Sequence, residues 1–231
     1  MDAIIMAAGL GTRLRPHTLT TPKPLLPVQG RPILDWALGA LPPRVDRVLV
    51  VVNYLAEQIE AYLRTQKYFA QWETVRQEVP RGTGDAVRSC KDRLRSESVL
   101  VLNGDDLYGA ADLARLAGCS AGVLCHPVDE PRKFGIAFRK PDGTLEKLVE
   151  KPDLDGRMLA NTGAYVFPRW VFDRELKLSP RGEYEVTDYV SMLAAEQPVQ
   201  VVEATFWLPI GNVEIWQAAQ TRDLSAVRRV V

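Results

Sequence analysis

Residues 3–28 read AIIMAAGLGTRLRPHTLTTPKPLLPV, from Ala3 to Val28. The apolar run Ala3–Ala7 has the length and composition of a strand buried on both faces, as in the interior of a parallel sheet. It passes directly into Ala7-Ala8-Gly9-Leu10-Gly11-Thr12-Arg13, where small residues let backbone N–H groups approach an anion closely. The spacing is not the dinucleotide fingerprint G-x-G-x-x-G, because Leu14 stands at the third glycine position, and the P-loop pattern G-x-x-x-x-G-K-[ST] is absent. A buried strand that ends in a phosphate-cradling loop predicts an open α/β sheet with its ligand at the strands' carboxyl edge.

Further β-branched runs follow at Arg47–Asn53, Ser98–Asn103 and Gly122–Val128. Stretches of helical period separate them at Ile33–Leu41, Leu55–Arg64, Thr83–Leu94 and Asp112–Leu116. This alternation predicts an α/β, Rossmann-like, doubly wound and mostly parallel central sheet. Beyond residue 128 the pattern changes: the strand-like pieces Gly135–Arg139, Leu145–Glu150 and Gly163–Pro168 are separated by the turn signals KPDG and KPDLDG. A partly antiparallel extension is expected there. Glu185–Ala195 reads as a helix and Val199–Ala204 as a strand, while Val213–Val227 reads as a last helix with Val213, Trp216, Ala219 and Val227 on one face. The expectation is a single domain over residues 1–231, with halves meeting at residue 128, and nothing in it resembles hexapeptide β-helix repeats.

Chemistry concentrates near the opening loop. Arg13 and Arg15 follow the glycines, and Lys23 sits between Pro22 and Pro24, whose rings predict extended backbone on both sides. Only eight of the 29 basic residues are lysines, so one at so stiff a place suggests a compact point charge for a phosphate; the alternative is a solvated side chain in a polyproline-like loop. Residues 1–31 hold Arg13, Arg15, Lys23 and Arg31 against Asp2, a local charge of +3. The chain as a whole is balanced at 29 basic and 29 acidic residues, which argues against a nucleic-acid partner or a polybasic membrane face. With 46% hydrophobic and 25% charged residues it has the composition of a folded globule. No apolar run reaches the ~20 residues of a membrane span, and Met1–Ile5 lacks a signal-peptide start, so a cytoplasmic location is expected. Cys90, Cys119 and Cys125 show no C-x-x-C spacing and are expected to be buried free thiols. His17 and His126 lie far apart in sequence, which leaves no catalytic triad to assemble.

The stretch MAAGLGTRLRPHTLTTPKPLLPVQGRPIL resembles the signature of the sugar-1-phosphate nucleotidylyltransferases, the group that holds glucose-1-phosphate thymidylyltransferases and mannose-1-phosphate guanylyltransferases. Pieces of the resemblance recur to about Gly211. It implies that Ala7, Ala8, Gly9, Gly11 and Thr12 wrap a nucleoside triphosphate and that Arg13 and Lys23 are catalytic. Within QEVPRGTGDAV, the Gln77 amide and the Gly82 backbone suit a base edge, and the resemblance implies the same role for both. Thr83 stands with them, either beside the nucleotide or as the N-cap of the following helix, with Asp85 near that helix's positive end.

In VLVLNGDDLYG, Asp105 follows a buried strand, and the resemblance implies that it binds Mg²⁺, a cation that prefers carboxylate, water and phosphate oxygens. FGIAF, VEKP and ANTGAYVF place Gly135, Glu150, Lys151 and Asn161 where the resemblance implies contacts to a sugar phosphate. GEYEVTDYV reads mainly as a helix start. One departure is clear: the family's W-x-D-x-G aspartate, a second metal ligand, is replaced by Pro209 in Trp207-Leu208-Pro209-Ile210-Gly211. Mg²⁺ binding should weaken there unless Asp106, another carboxylate or water substitutes.

The implied reaction joins an NTP and a sugar 1-phosphate to give an NDP-sugar and pyrophosphate. The attacking phosphate oxygen is already an anion, so the missing triads are no obstacle. Two alternatives stay open: transfer to a non-sugar phosphate such as phosphocholine, and a nucleotide-sugar-binding regulatory protein that has lost the chemistry. The base and the sugar are not legible, and the resemblance leaves a homo-oligomer open, since related enzymes are commonly dimers or tetramers.

Overall fold

The computed structural model describes residues 1–228. Its centre is built from the four strands β1 (Asp2–Met6), β4 (Arg47–Val52), β5 (Gln71–Arg76) and β6 (Ser98–Asn103), side by side in the order β6-β1-β4-β5 and all parallel. The helices α1 (Ile33–Ala40), α2 (Ala56–Leu63) and α3 (Thr83–Arg88) lie between them in the chain, and the two-residue strands β2 (Pro27–Val28) and β3 (Arg31–Pro32) form a small hairpin ahead of α1. Alternate residues of the central strands face opposite layers. Ala3, Ile5, Val48, Val50, Leu100 and Leu102 join one core with α1 and α2, while Ile4, Leu49, Val51, Val99 and Val101 join the other with α3. Both faces are covered, which is why these strands are continuously apolar rather than alternating.

The remaining elements are β7 (Asp106–Tyr108), α4 (Ala110–Ala117), β8 (Gly122–Val128), β9 (Gly135–Arg139), β10 (Leu145–Glu150), β11 (Met158–Pro168), α5 (Val186–Glu196), β12 (Gln200–Glu203), β13 (Trp207–Pro209) and α6 (Val213–Ala219). The 11-residue strand β11 makes the extension antiparallel. Its Ala164–Pro168 segment pairs with β6, its Ala160 meets β9, and its other edge pairs with β8. Thus β6 and β9 share one edge of β11 and part around Asn161–Gly163, where the β8–β11 register also breaks. That parting opens the sheet at the carboxyl end of β6.

The expected doubly wound, mostly parallel core and antiparallel extension are both present, with five differences in detail. The strand β8 lies outside the parallel core, between β11 and β12. Edge strand β5, whose QWETVR is mostly only partly buried, and the small β7–β13 ribbon were not expected. The helix from Thr83 stops at Arg88 because Ser89 Oγ bonds back to the Ala86 carbonyl and the chain tightens into a 3₁₀ turn at Lys91–Arg93. The last helix stops at Ala219, and Asp223 Oδ1 accepts from the Ser225 N–H, so Ser225–Val227 is a separate 3₁₀ turn. Of the cysteines, Cys90 and Cys125 are buried, but Cys119 is partly exposed. Among the described residues, no helix is long and apolar enough to cross a membrane.

Candidate active site

Two adjoining cavities open at the carboxyl edge of the sheet. The smaller, about 380 Å³, lies between the loop after β1 and the start of α3; its walls include Ala7, Ala8, Gly9, Gln77, Gly82 and Thr83. The larger, about 840 Å³, lies over the parting of β6 and β9; Arg13, Gly135, Glu150, Lys151 and Asn161 line it. Lys23, Thr83, Asn103 and Asp105 line both. Most of the residues singled out in the sequence therefore meet around one junction.

Lys23 sits at that junction, 7% exposed. Pro22 before it is extended, as expected, but Lys23 itself opens a 3₁₀ turn through Leu25 rather than continuing an extended run; the Leu25 N–H closes it on the Pro22 carbonyl at 2.8 Å. The turn points Nζ at Asp105, with which it forms an ion pair. Gly11 and Thr12 line neither cavity. Gly11 has φ +61°, and a Cβ there would stand 3.1 Å from Lys23 Cβ and 3.0 Å from Thr18 Cγ2, so its glycine lets the loop pass against the lysine stem. Arg13 is exposed and belongs to the larger cavity, beside Gly211. Arg31 is not part of the site, because it pairs with Asp35 and covers the Trp36 ring.

Thr83 is not an N-cap. Gly82 holds that position, and the Thr83 hydroxyl instead accepts from the Val186 N–H at 3.0 Å, tying α3 to the start of α5. Gly82 has φ +103°, and a Cβ would stand 2.9 Å from Glu183 Cβ, so the wall of the smaller cavity is backbone at this point.

Asp106 follows Asp105 into β7 and is 5% exposed. Its Oδ2 accepts from Trp207 Nε1 at 3.2 Å and from Asn103 Nδ2 at 3.4 Å. Burial, with the Asp105 charge adding to it, pushes its carboxyl up to about 7, against the opposing pull of Lys23. Pro209 pairs directly across from Asp106 in the β7–β13 ribbon, and both line the larger cavity. Directly opposed residues project from the same face, so the Asp106 carboxylate stands beside the position that Pro209 occupies. Among the described residues there is no cluster of three or more His, Cys, Asp or Glu side chains fit for a metal.

In the second half, Lys151 adopts φ +44°, a strained conformation for a residue that precedes proline, and its N–H donates to the Phe134 carbonyl at 2.9 Å. Glu150 lies 3.6 Å from Lys151 Nζ, and Asn161 Nδ2 donates to the Tyr165 hydroxyl at 2.7 Å. The sequence reading missed Asn103. A polar residue ending the apolar run VLVLN, just before Gly104, was the available signal.

A model of the nucleotidyl transferase family matches residues 2–225. The chain is 34% identical over 218 residues to the bifunctional protein GlmU of Methanocaldococcus jannaschii, covering 92% of this chain and 52% of that protein. It is 32% identical over 228 residues to mannose-1-phosphate guanylyltransferase of Mycobacterium tuberculosis, covering 93% of this chain and 62% of that one. A Bacillus anthracis chain solved with sucrose and assigned as a glucose-1-phosphate thymidylyltransferase superposes with a TM-score of 0.84 at 26% identity, covering 95% of this chain and 94% of that chain. The chain thus spans between half and two thirds of the length of these two curated relatives.

Proposed function

We propose that this chain, which belongs to the nucleotidyl transferase family, transfers a nucleotidyl group from an NTP to a sugar 1-phosphate, with release of pyrophosphate. The observation that carries the reading is the junction: Lys23 and Asp105 are shared by two cavities, one walled by backbone amides and Gln77, the other by Lys151, Glu150 and Asn161. The smaller would hold the nucleotide and the larger the sugar phosphate, with residues 1–128 supplying most of the first and residues 129–231 most of the second. The α-phosphorus then lies next to Lys23.

The nucleophile is a phosphate oxygen that needs no deprotonation. What the protein must do is hold it in line with the α-phosphorus and offset the charge that develops on the departing pyrophosphate. Lys23 serves the α-phosphate and the leaving group, and the triphosphate extends past Lys23 into the larger cavity, where Arg13 serves the outer phosphates. Lys151 meets the sugar's phosphate, and Glu150 and Asn161 bond its hydroxyls. Two adjacent carboxylates with room for water and phosphate oxygens are a donor set that suits Mg²⁺, and Asp105 and Asp106 would hold it. When bound, the ion adds positive charge against the phosphates. In this reading Asp106 takes the place of the carboxylate that Pro209 cannot provide.

A screen of NTPs against sugar 1-phosphates, read by pyrophosphate release, tests the proposal. Lys23→Ala should lower turnover on the order of 10²-fold or more, as for loss of one preorganised charge donor. Absence of release from every pair, or a Lys23→Ala rate near wild type, would overturn the assignment.

A further inference from the structure

Gln77 lies just beyond the carboxyl end of β5, 4% exposed, in the wall of the smaller cavity. Its backbone is fully engaged: the N–H donates to the Val52 carbonyl at 2.9 Å, and the carbonyl accepts from Asn53 Nδ2 at 2.6 Å. Its side-chain NH₂ donates to Asp85 Oδ2 at 3.0 Å and to the Gly82 carbonyl at 3.2 Å. A carboxylate and a peptide carbonyl can only accept, so turning the amide over would set its oxygen against two oxygens. Asp85 is itself held. It is 8% exposed, Arg81 Nη2 lies 3.3 Å and Arg88 Nη2 4.0 Å from its Oδ1, and both guanidinium groups pack over the Tyr184 ring. Gln77 Oε1 receives no donor from the described residues.

We propose that Asp85 is a specificity-determining positioning residue: it fixes the Gln77 amide with its oxygen toward the nucleotide base, so that the pocket takes uracil or thymine. The inference rests on the smaller cavity being the base pocket. Ala8 and Gly9 on the loop after β1, and Gly82 and Thr83 at the start of α3, have N–H groups that donate to no other described residue. Gln77 thus presents its acceptor in the same wall as these free backbone donors. The imide edge of uracil or thymine, carbonyl, N–H, carbonyl, complements that pattern. Held in the pose that sets the imide N–H on Gln77 Oε1, cytosine and adenine would turn a ring-nitrogen lone pair toward that oxygen, and guanine would set its amine against an N–H. Each mismatch leaves a buried polar group unpaired, the condition under which a site rejects an analogue most strongly.

The test measures nucleotide KM and direct NTP binding. Wild type should favour UTP or dTTP over CTP on the order of 10²-fold, the scale of one mismatched buried polar pair. It should also discriminate against N3-methyluridine triphosphate, which lacks the imide hydrogen, and this readout needs no variant. In Asp85→Asn the new amide can face Gln77 with either end, so the UTP:CTP ratio should fall about tenfold or more through KM. Asp85→Glu, which keeps the carboxylate, should restore it. A wild-type preference for CTP, ATP or GTP, full use of the N3-methyl analogue, or an undiminished ratio in folded Asp85→Asn would overturn the proposal. Gln77→Ala separates the two layers: if it changes the KM of no NTP, the base-pocket reading itself falls, whereas weakened UTP binding there beside an unaltered Asp85→Asn sinks only the role of Asp85.

Discussion

Gly163 shows how closely the site is fitted at the scale of one residue. It has φ +77°, and a Cβ built there would collide with the Asn103 amide. Asn103 in turn donates to Asp106 and lines both cavities. Gly163→Ala should therefore destabilise the chain by about 2 kcal/mol, from the unfavourable backbone and the displaced side chain. Urea unfolding would read the loss, and pyrophosphate release should fall with it because Asn103 must move; a midpoint within error of wild type would show that the strand absorbs the methyl group. At this scale the sequence was legible where a motif is local. Gly9, Lys23 and Asp105 announce themselves by spacing and by neighbouring prolines or glycines. Asn103 and Asp85 do not, because their meaning comes from partners 60 residues away at Gly163 or across a loop at Gln77.

Among the elements, the β7–β13 ribbon carries Asp106, Trp207 and Pro209 into the larger cavity, and it is held from below by Asp112 of α4. That carboxylate, 1% exposed, accepts from the N–H groups of Thr205 and Phe206, at 2.9 and 3.0 Å, and from the Thr205 hydroxyl, and pairs with Arg115. Asp112→Ala strands these donors and should cost about 3 kcal/mol, since each buried group left unpaired is penalised. The expected result is a lower unfolding midpoint together with weakened sugar-phosphate binding, while NTP binding in the other cavity stays near wild type. Equal losses at both cavities would mean that the ribbon does not act locally. Neither ribbon strand was foreseen, because three-residue strands have too few positions to show a period. The long buried strands and amphipathic helices were foreseen; the ends of α3 and α6 were not, because side-chain bonds at Ser89 and Asp223 decide them.

At the scale of the whole molecule, equal numbers of acidic and basic residues coexist with a cationic opening segment of which Lys23 is turned inward onto Asp105 and Arg31 onto Asp35. Only Arg13 of that set lines the larger cavity beside Lys23. Many of the other arginines are paired with acids on the surface, as Arg76 is with Glu57 and Arg174 with Glu196, rather than forming the continuous basic face that a polynucleotide requires. An NTP at a concentration of 100 Kd should stabilise the fold by about 2.7 kcal/mol, raising Tm by roughly 5 to 10 °C for a chain of this size. The same scan in excess duplex DNA at low salt, where phosphate contacts are strongest, should leave both the apo Tm and the NTP-induced rise unchanged. A DNA-dependent rise in Tm, or loss of the NTP effect in its presence, would show that the exposed arginines form a second, anion-binding surface. Lys23→Ala should abolish most of the NTP shift, because Lys23 is the cation common to both cavities.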